Sequence, residues 1–158
     1  MERAFQALYK ESPFRAIIHP DETRDAHYNE YRFRITLAPN QPPHKAFAAL
    51  AREIHHAMEA NTGAFRMYSR KDYELDAECF SYMLCRNMGV PCDRPDLSGI
   101  SSQYSGVALE DRRENLKEMR ENLLIMRNRL LKELPPQEKV QTGQEKQTGG
   151  KRKKETVR

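Results

Sequence analysis

A chain of 158 residues is long enough for one buried core and too short for two ordinary domains with a linker. Hydrophobic residues make up 38% and charged residues 32%, Trp is absent, and no apolar run approaches the roughly 20 residues of a membrane span, which excludes a helical membrane protein. The net charge of +4 sits at one end: from Pro135 onward seven basic residues face three acidic ones, leaving twenty of each sign in residues 1–134.

The opening residues, Met1 to Gln6, lack the basic start and apolar stretch of a secretory signal. Cys79, Cys85 and Cys92 are odd in number and without CxxC spacing, so they read as buried thiols rather than a disulfide framework. Both features point to the cytoplasm. Residues 1–25 are the least defined stretch, with Ala4–Tyr9 suited to a short helix and Phe14–His19 to a short strand closed by Pro20. Tyr31 to Leu37 alternates apolar and polar residues at period two, which predicts a strand with Tyr31, Phe33, Ile35 and Leu37 on one face.

Pro42 and Pro43 suit a helix start, and Phe47, Leu50, Ile54, Ala57 and Met58 recur at helical spacing up to Asn61. A second helix is predicted after Ser69-Arg70-Lys71-Asp72, read as its cap, and stops at Gly89 and Pro91. Its stripe of Tyr73, Ala77, Phe80, Leu84 and Met88 predicts burial. A third helix runs to Leu134 before Pro135-Pro136, with Leu109, Leu116, Leu123 and Leu130 every seven residues and Met119 and Met126 between them. That face predicts a helix docked on its own domain, with a dimerising coiled coil as the competing reading. Residues 135–158 are too polar to form a core and read as a disordered basic tail. Within it Lys151, Arg152, Lys153 and Lys154 offer at most a weak nucleic-acid contact.

Chemistry concentrates on the first two helices. Advancing 100° per residue sets Arg52, Glu53 and His56 opposite the apolar stripe of the first helix, ordinarily a solvated face. Yet Arg52-Glu53-Ile54-His55-His56 has the shape of the zinc-peptidase motif HExxH, with Arg in place of the first His. In HExxH two His one turn apart bind a metal, and the Glu between them activates its water. On the second helix Glu74 and Glu78 lie one turn apart. This is the spacing at which glutamate zincins place a third ligand and an acid that holds a ligand histidine from behind.

The order of strand, Arg52–His56 helix, Glu74–Cys85 helix, Ser101-Ser102-Gln103-Tyr104 and long helix resembles the metallopeptidase-like domain of ArdC-type antirestriction proteins, over about residues 26–134. It is more distantly similar to the ImmA/IrrE peptidases. The resemblance implies an α+β, zincin-like domain, a small antiparallel sheet followed by three main helices, encoded by a plasmid, phage or other mobile element. It implies metal-ligand positions at His56 and Glu74, the general base at Glu53, and the supporting acid at Glu78. The single-stranded DNA-binding region that these families carry ahead of this part is not expected in the 25 residues that precede it.

Arg52 departs from the pattern, because a guanidinium stays protonated and has no lone pair for zinc. His55 lies about 100° around the helix from His56 and cannot replace it. The expectation is therefore a metal-free relic without cofactor, in which Arg52 supplies the charge of the lost metal and pairs with Glu74 or Glu78 across the helices. Such a chain acts as a binding or structural module for a protein or peptide partner. Two alternatives stand beside it: an active zinc peptidase whose ligand set is completed by His27, His44 or a partner chain, and a helical adaptor with a nucleic-acid-binding tail.

Overall fold

The computed structural model describes residues 1–61 and 68–134; the expected basic tail lies outside them. Helix α1 (Glu2–Glu11) turns Ala4, Phe5, Ala7 and Leu8 inward. Three short strands follow: β1 (Arg15–Ile18), β2 (Ala26–Asn29) and β3 (Arg34–Leu37). The sheet has the order β1-β3-β2, with β1 parallel and β2 antiparallel to β3, so it is mixed and not antiparallel as expected. The segment between β1 and β2 is held by Glu22. Its carboxylate accepts from Thr36 Oγ1 at 2.7 Å and Arg24 Nε at 2.9 Å, and these contacts, led by Arg24, pull its pKa down to about 2.

The predicted strand loses its first half to a tight turn. The Asn29 side chain accepts from the Arg32 backbone N–H at 3.0 Å, and Phe33 takes a φ of 48°, which takes the chain out of the strand. Tyr31 and Phe33 are consequently exposed, at 87% and 64%, and only Ile35 and Leu37 of the expected face enter the core. Period two marked the right face, and local turn chemistry decided where the strand begins.

Helix α2 (Pro43–Asn61) lies at the centre, touching α1, the sheet and the following helix. Phe47, Leu50 and Ile54 are fully buried, and small residues at 46, 49, 51 and 57 let the neighbours approach closely. The helix is buried on nearly all sides, so the face carrying Glu53 and His56 is interior and not solvated. Helix α3 (Glu74–Met88) packs Ala77, Phe80, Leu84 and Met88 inward, as its stripe predicts. It ends at Gly89, whose φ of 66° closes the last turn in the left-handed region. Cys85 is buried, and Cys79 and Cys92 are half-buried.

After Met88 the chain makes one helical turn, α4 (Ile100–Gln103), and then α5 (Leu109–Glu133). Tyr104 ties this connection to α3 by donating its hydroxyl to the Asp76 carboxylate. Arg112 then bonds the Tyr104 and Val107 carbonyls at 2.5 and 2.9 Å and lies over the Tyr104 ring. The second half of α5 buries Met119, Leu123, Met126 and Leu130 among α1 and α3, and Lys10 pairs with Glu133 at 2.6 Å. The expected docking holds there. Towards the N-terminus of α5, Leu109 and Leu116 remain exposed at 56% and 58%. The α+β class stands, and α1 adds to the three main helices expected. No helix among the described residues is long and apolar enough to cross a membrane.

Candidate functional site: a carboxylate held by two arginines

Helices α2 and α3 cross where Arg52, Glu53 and His56 face Glu74. Glu53 and His56 have no exposed surface. Arg52 Nη1 lies 3.4 Å from Glu74 Oε1, and Arg52 Nη2 lies 3.4 Å from Glu53 Oε1. The expected pairing of Arg52 across the helices is therefore with Glu74. Glu78 lines the adjoining cavity, whose wall Arg52 also forms, and has no ion pair among the described residues. Four of the five expected site residues thus converge, and the fifth lies outside their network.

The side chain that dominates the site is Arg70, which sequence reasoning placed in a helix cap. Ser69 forms no side-chain cap, and Arg70–Tyr73 instead forms a short 3-10 turn leading into α3. That turn aims the Arg70 guanidinium at Glu53, with Nη1 donating to Oε2 at 2.8 Å and Nη2 to Oε1 at 2.5 Å. This is the two-pronged match between guanidinium and carboxylate that makes Arg the preferred partner of a buried acid. The Tyr28 backbone N–H donates to the same Oε2 at 2.7 Å from the other side. Arg70 Nε also lies 3.6 Å from Glu74 Oε2. Two guanidinium groups and two carboxylates thus make a cluster of zero formal charge.

His56 is fixed by Tyr68, whose hydroxyl lies 2.9 Å from Nδ1. Burial raises the Tyr68 pKa, so the phenol keeps its proton, and its ring stacks on Tyr73 with centroids 5.8 Å apart. His56 Nε2 lies 3.3 Å from Glu74 Oε2 but off the line of a good hydrogen bond, and it has no other partner among the described residues. The contact with His56, then the charges of Arg52 and Arg70, outweigh burial and hold the Glu74 carboxyl below its ordinary range. His55 points away, as its position predicts, against Phe80 with ring centroids 5.2 Å apart. Its Nδ1 lies 3.5 Å from Glu59.

The residues present do not fit a catalytic zinc ion. Such an ion takes three protein ligands, whereas only His56 and Glu74 of the expected set could serve as ligands here, and the volume beside them holds two permanent cations. Among the described residues no group of three His, Cys, Asp or Glu side chains is placed to hold a metal ion together. His44 lines the adjoining cavity, and His27 stands on β2, half-buried and within the fields of Glu53 and Arg70. Among the described residues neither has an ion pair or hydrogen bond with His56 or Glu74.

The cavity measures about 640 Å³ and runs beside Arg52 between α2, α3 and residues 91–96. His44 and Lys45 supply one wall, Glu78 and Tyr82 another, and Cys92 and Arg94 a third. Of the missed residues only Arg70 left a trace in the sequence. A buried carboxylate needs a cation, and Arg70 is the arginine just ahead of the second helix. Tyr28 and Tyr68 gave no such sign. No family model matches the chain, and no match to a curated protein or a solved structure was found.

Proposed function

We propose that this chain is a degenerate metallopeptidase-like module of the ArdC type, a cytoplasmic protein of a mobile element that binds a protein or peptide and does not cleave it. The observation that carries this reading is the state of Glu53. A general base must present a free lone pair to a water molecule. The Glu53 carboxylate instead accepts two hydrogen bonds from Arg70 and one from Tyr28, with Arg52 beside it and no solvent contact. In this reading the arginines hold together a site that a metal holds in active relatives. The geometry of helix, carboxylate and crossing helix survives as an element of structure.

Elemental analysis of the purified chain before and after zinc loading tests the proposal, with His56→Ala and Glu74→Ala as controls. The expected result is no stoichiometric zinc in any form. One equivalent of zinc that is lost in both variants would overturn the reading and indicate a live metal site.

A further inference from the structure

The exposed side of α5 carries an ordered pattern that neither the core nor the Glu53 cluster uses. Leu109, Leu116, Leu124 and Leu131 are exposed at 56, 58, 39 and 42%. Between them in sequence stand Arg113, Arg120 and Arg127, spaced every seven residues. At 100° per residue all seven fall within a sector of about 80°, so leucines and arginines alternate along one stripe about 33 Å long. The stripe borders the buried face formed by Met119, Leu123, Met126 and Leu130. None of the three arginines has an ion pair among the described residues, and the Arg127 Nε is buried without a hydrogen-bond partner.

Charge decides what fits this stripe. A second copy laid antiparallel so that leucine meets leucine would set Arg120 against Arg120 and Arg113 against Arg127, and a parallel copy in the same leucine register would set each arginine beside its twin. Both arrangements oppose like charges. The chain's own residues 135–158 carry seven basic residues against three acidic ones and are repelled in the same way. A lipid surface suits a helix whose charges flank its apolar face, whereas here the arginines lie on the midline of the leucines and would be buried with them. A helix offering apolar side chains between carboxylates satisfies both halves of the pattern at once. Its leucine-type residues would meet the four leucines, and its acids would pair with arginines about 10.5 Å apart.

We infer that this stripe of α5 is a docking surface for an acidic amphipathic helix of another protein. The inference does not depend on the metallopeptidase-like reading. Fluorescence anisotropy of the full chain with a labelled four-heptad peptide, leucine at its two core positions and glutamate at the flanking ones, tests it at physiological salt. Saturable binding is expected, at least tenfold weaker for a scrambled peptide of the same composition. The same loss is expected for Arg113→Glu/Arg120→Glu and for Leu116→Ala, and the reversed double variant should gain affinity for the lysine version of the peptide. Absence of binding would overturn the proposal, as would a scrambled peptide that binds equally through the basic tail. So would a charge reversal without effect. Phosphatidylglycerol vesicles or duplex DNA that bind the wild-type chain and are lost on that reversal would assign the stripe to another class of partner and overturn the proposal equally.

Discussion

Replacing Arg70 by Met retains much of the apolar stem and removes the guanidinium that makes two hydrogen bonds, 2.8 and 2.5 Å long, to a carboxylate with no exposed surface. What remains around Glu53 is the Tyr28 N–H at 2.7 Å and Arg52 at 3.4 Å without a hydrogen bond. Stripping one partner from a buried ion pair leaves an uncompensated charge and costs about 3–5 kcal/mol. Against a domain stability of about 5–15 kcal/mol that is a large share, and the melting temperature should fall by on the order of 15 °C. Glu53→Gln/Arg70→Met removes the charge as well and leaves an amide oxygen for Tyr28, so it should regain about 2–3 kcal/mol over the single variant. Arg52→Met breaks only two longer contacts of a one-third-exposed side chain and should cost about 1 kcal/mol or less. Urea denaturation of the wild type and the three variants at pH 7 measures each difference. If Arg70→Met cost less than Arg52→Met, or if the double variant were no more stable than Arg70→Met, Arg70 would not be the counter-charge that holds Glu53.

Arg52→His sets an imidazole one turn from His56 but leaves the Arg70 guanidinium on Glu53 and 3.6 Å from Glu74, so it should bind zinc weakly. Adding Arg70→Ala should tighten binding at least tenfold in a competition titration with a chromogenic chelator, and equal affinities would show that Arg70 does not obstruct the site. Stability should also depend on pH through His55, whose pKa is pushed down to about 3 from 6.5 by burial, with His56 adding to the shift and Glu59 at 3.5 Å failing to offset it. Unfolded His55 takes a proton below 6.5 and folded His55 does not until about 3, so this contribution is fully present above 6.5 and lost progressively below it. At pH 5 the loss is about 2 kcal/mol. His55→Leu should flatten the change in urea midpoint between pH 7.5 and 5, and an unchanged slope would remove His55 as its cause.

Helical periodicity carried most of the architecture. The stripe of Phe47, Leu50 and Ile54 and that of Ala77, Phe80 and Leu84 are both core, because a repeat near 3.6 residues places them on one side regardless of detail. The strand at Tyr31 was too long because alternation continues through a turn that the Asn29 side chain and the backbone at Phe33 determine. Strand β2 went unread: Ala26-His27-Tyr28-Asn29 is short, and its pairing with β3 is a tertiary matter. In the site, the contact between Arg52 and Glu74 was legible because helical spacing fixes which side chains face a neighbouring helix. Arg70 was not, since it reaches Glu53 from an irregular segment whose path no periodicity describes. The burial of Glu53 and His56 was equally hidden. Polar residues on one side of a helix read as solvated until a third element closes over them.

The hydrogen bond from Tyr28 to Glu53 also bears on how the molecule avoids its own kind. Among the described residues β2 is an edge strand, bonded to β3 on one side, and its outer row of backbone groups is the kind that recruits a foreign strand. Glu53 occupies one of those donors with an internal charge, itself clamped by Arg70, so an incoming strand would have to break an ion pair before it could add to the sheet. The contact that satisfies the Glu53 carboxylate thereby also makes strand addition at Tyr28 costly.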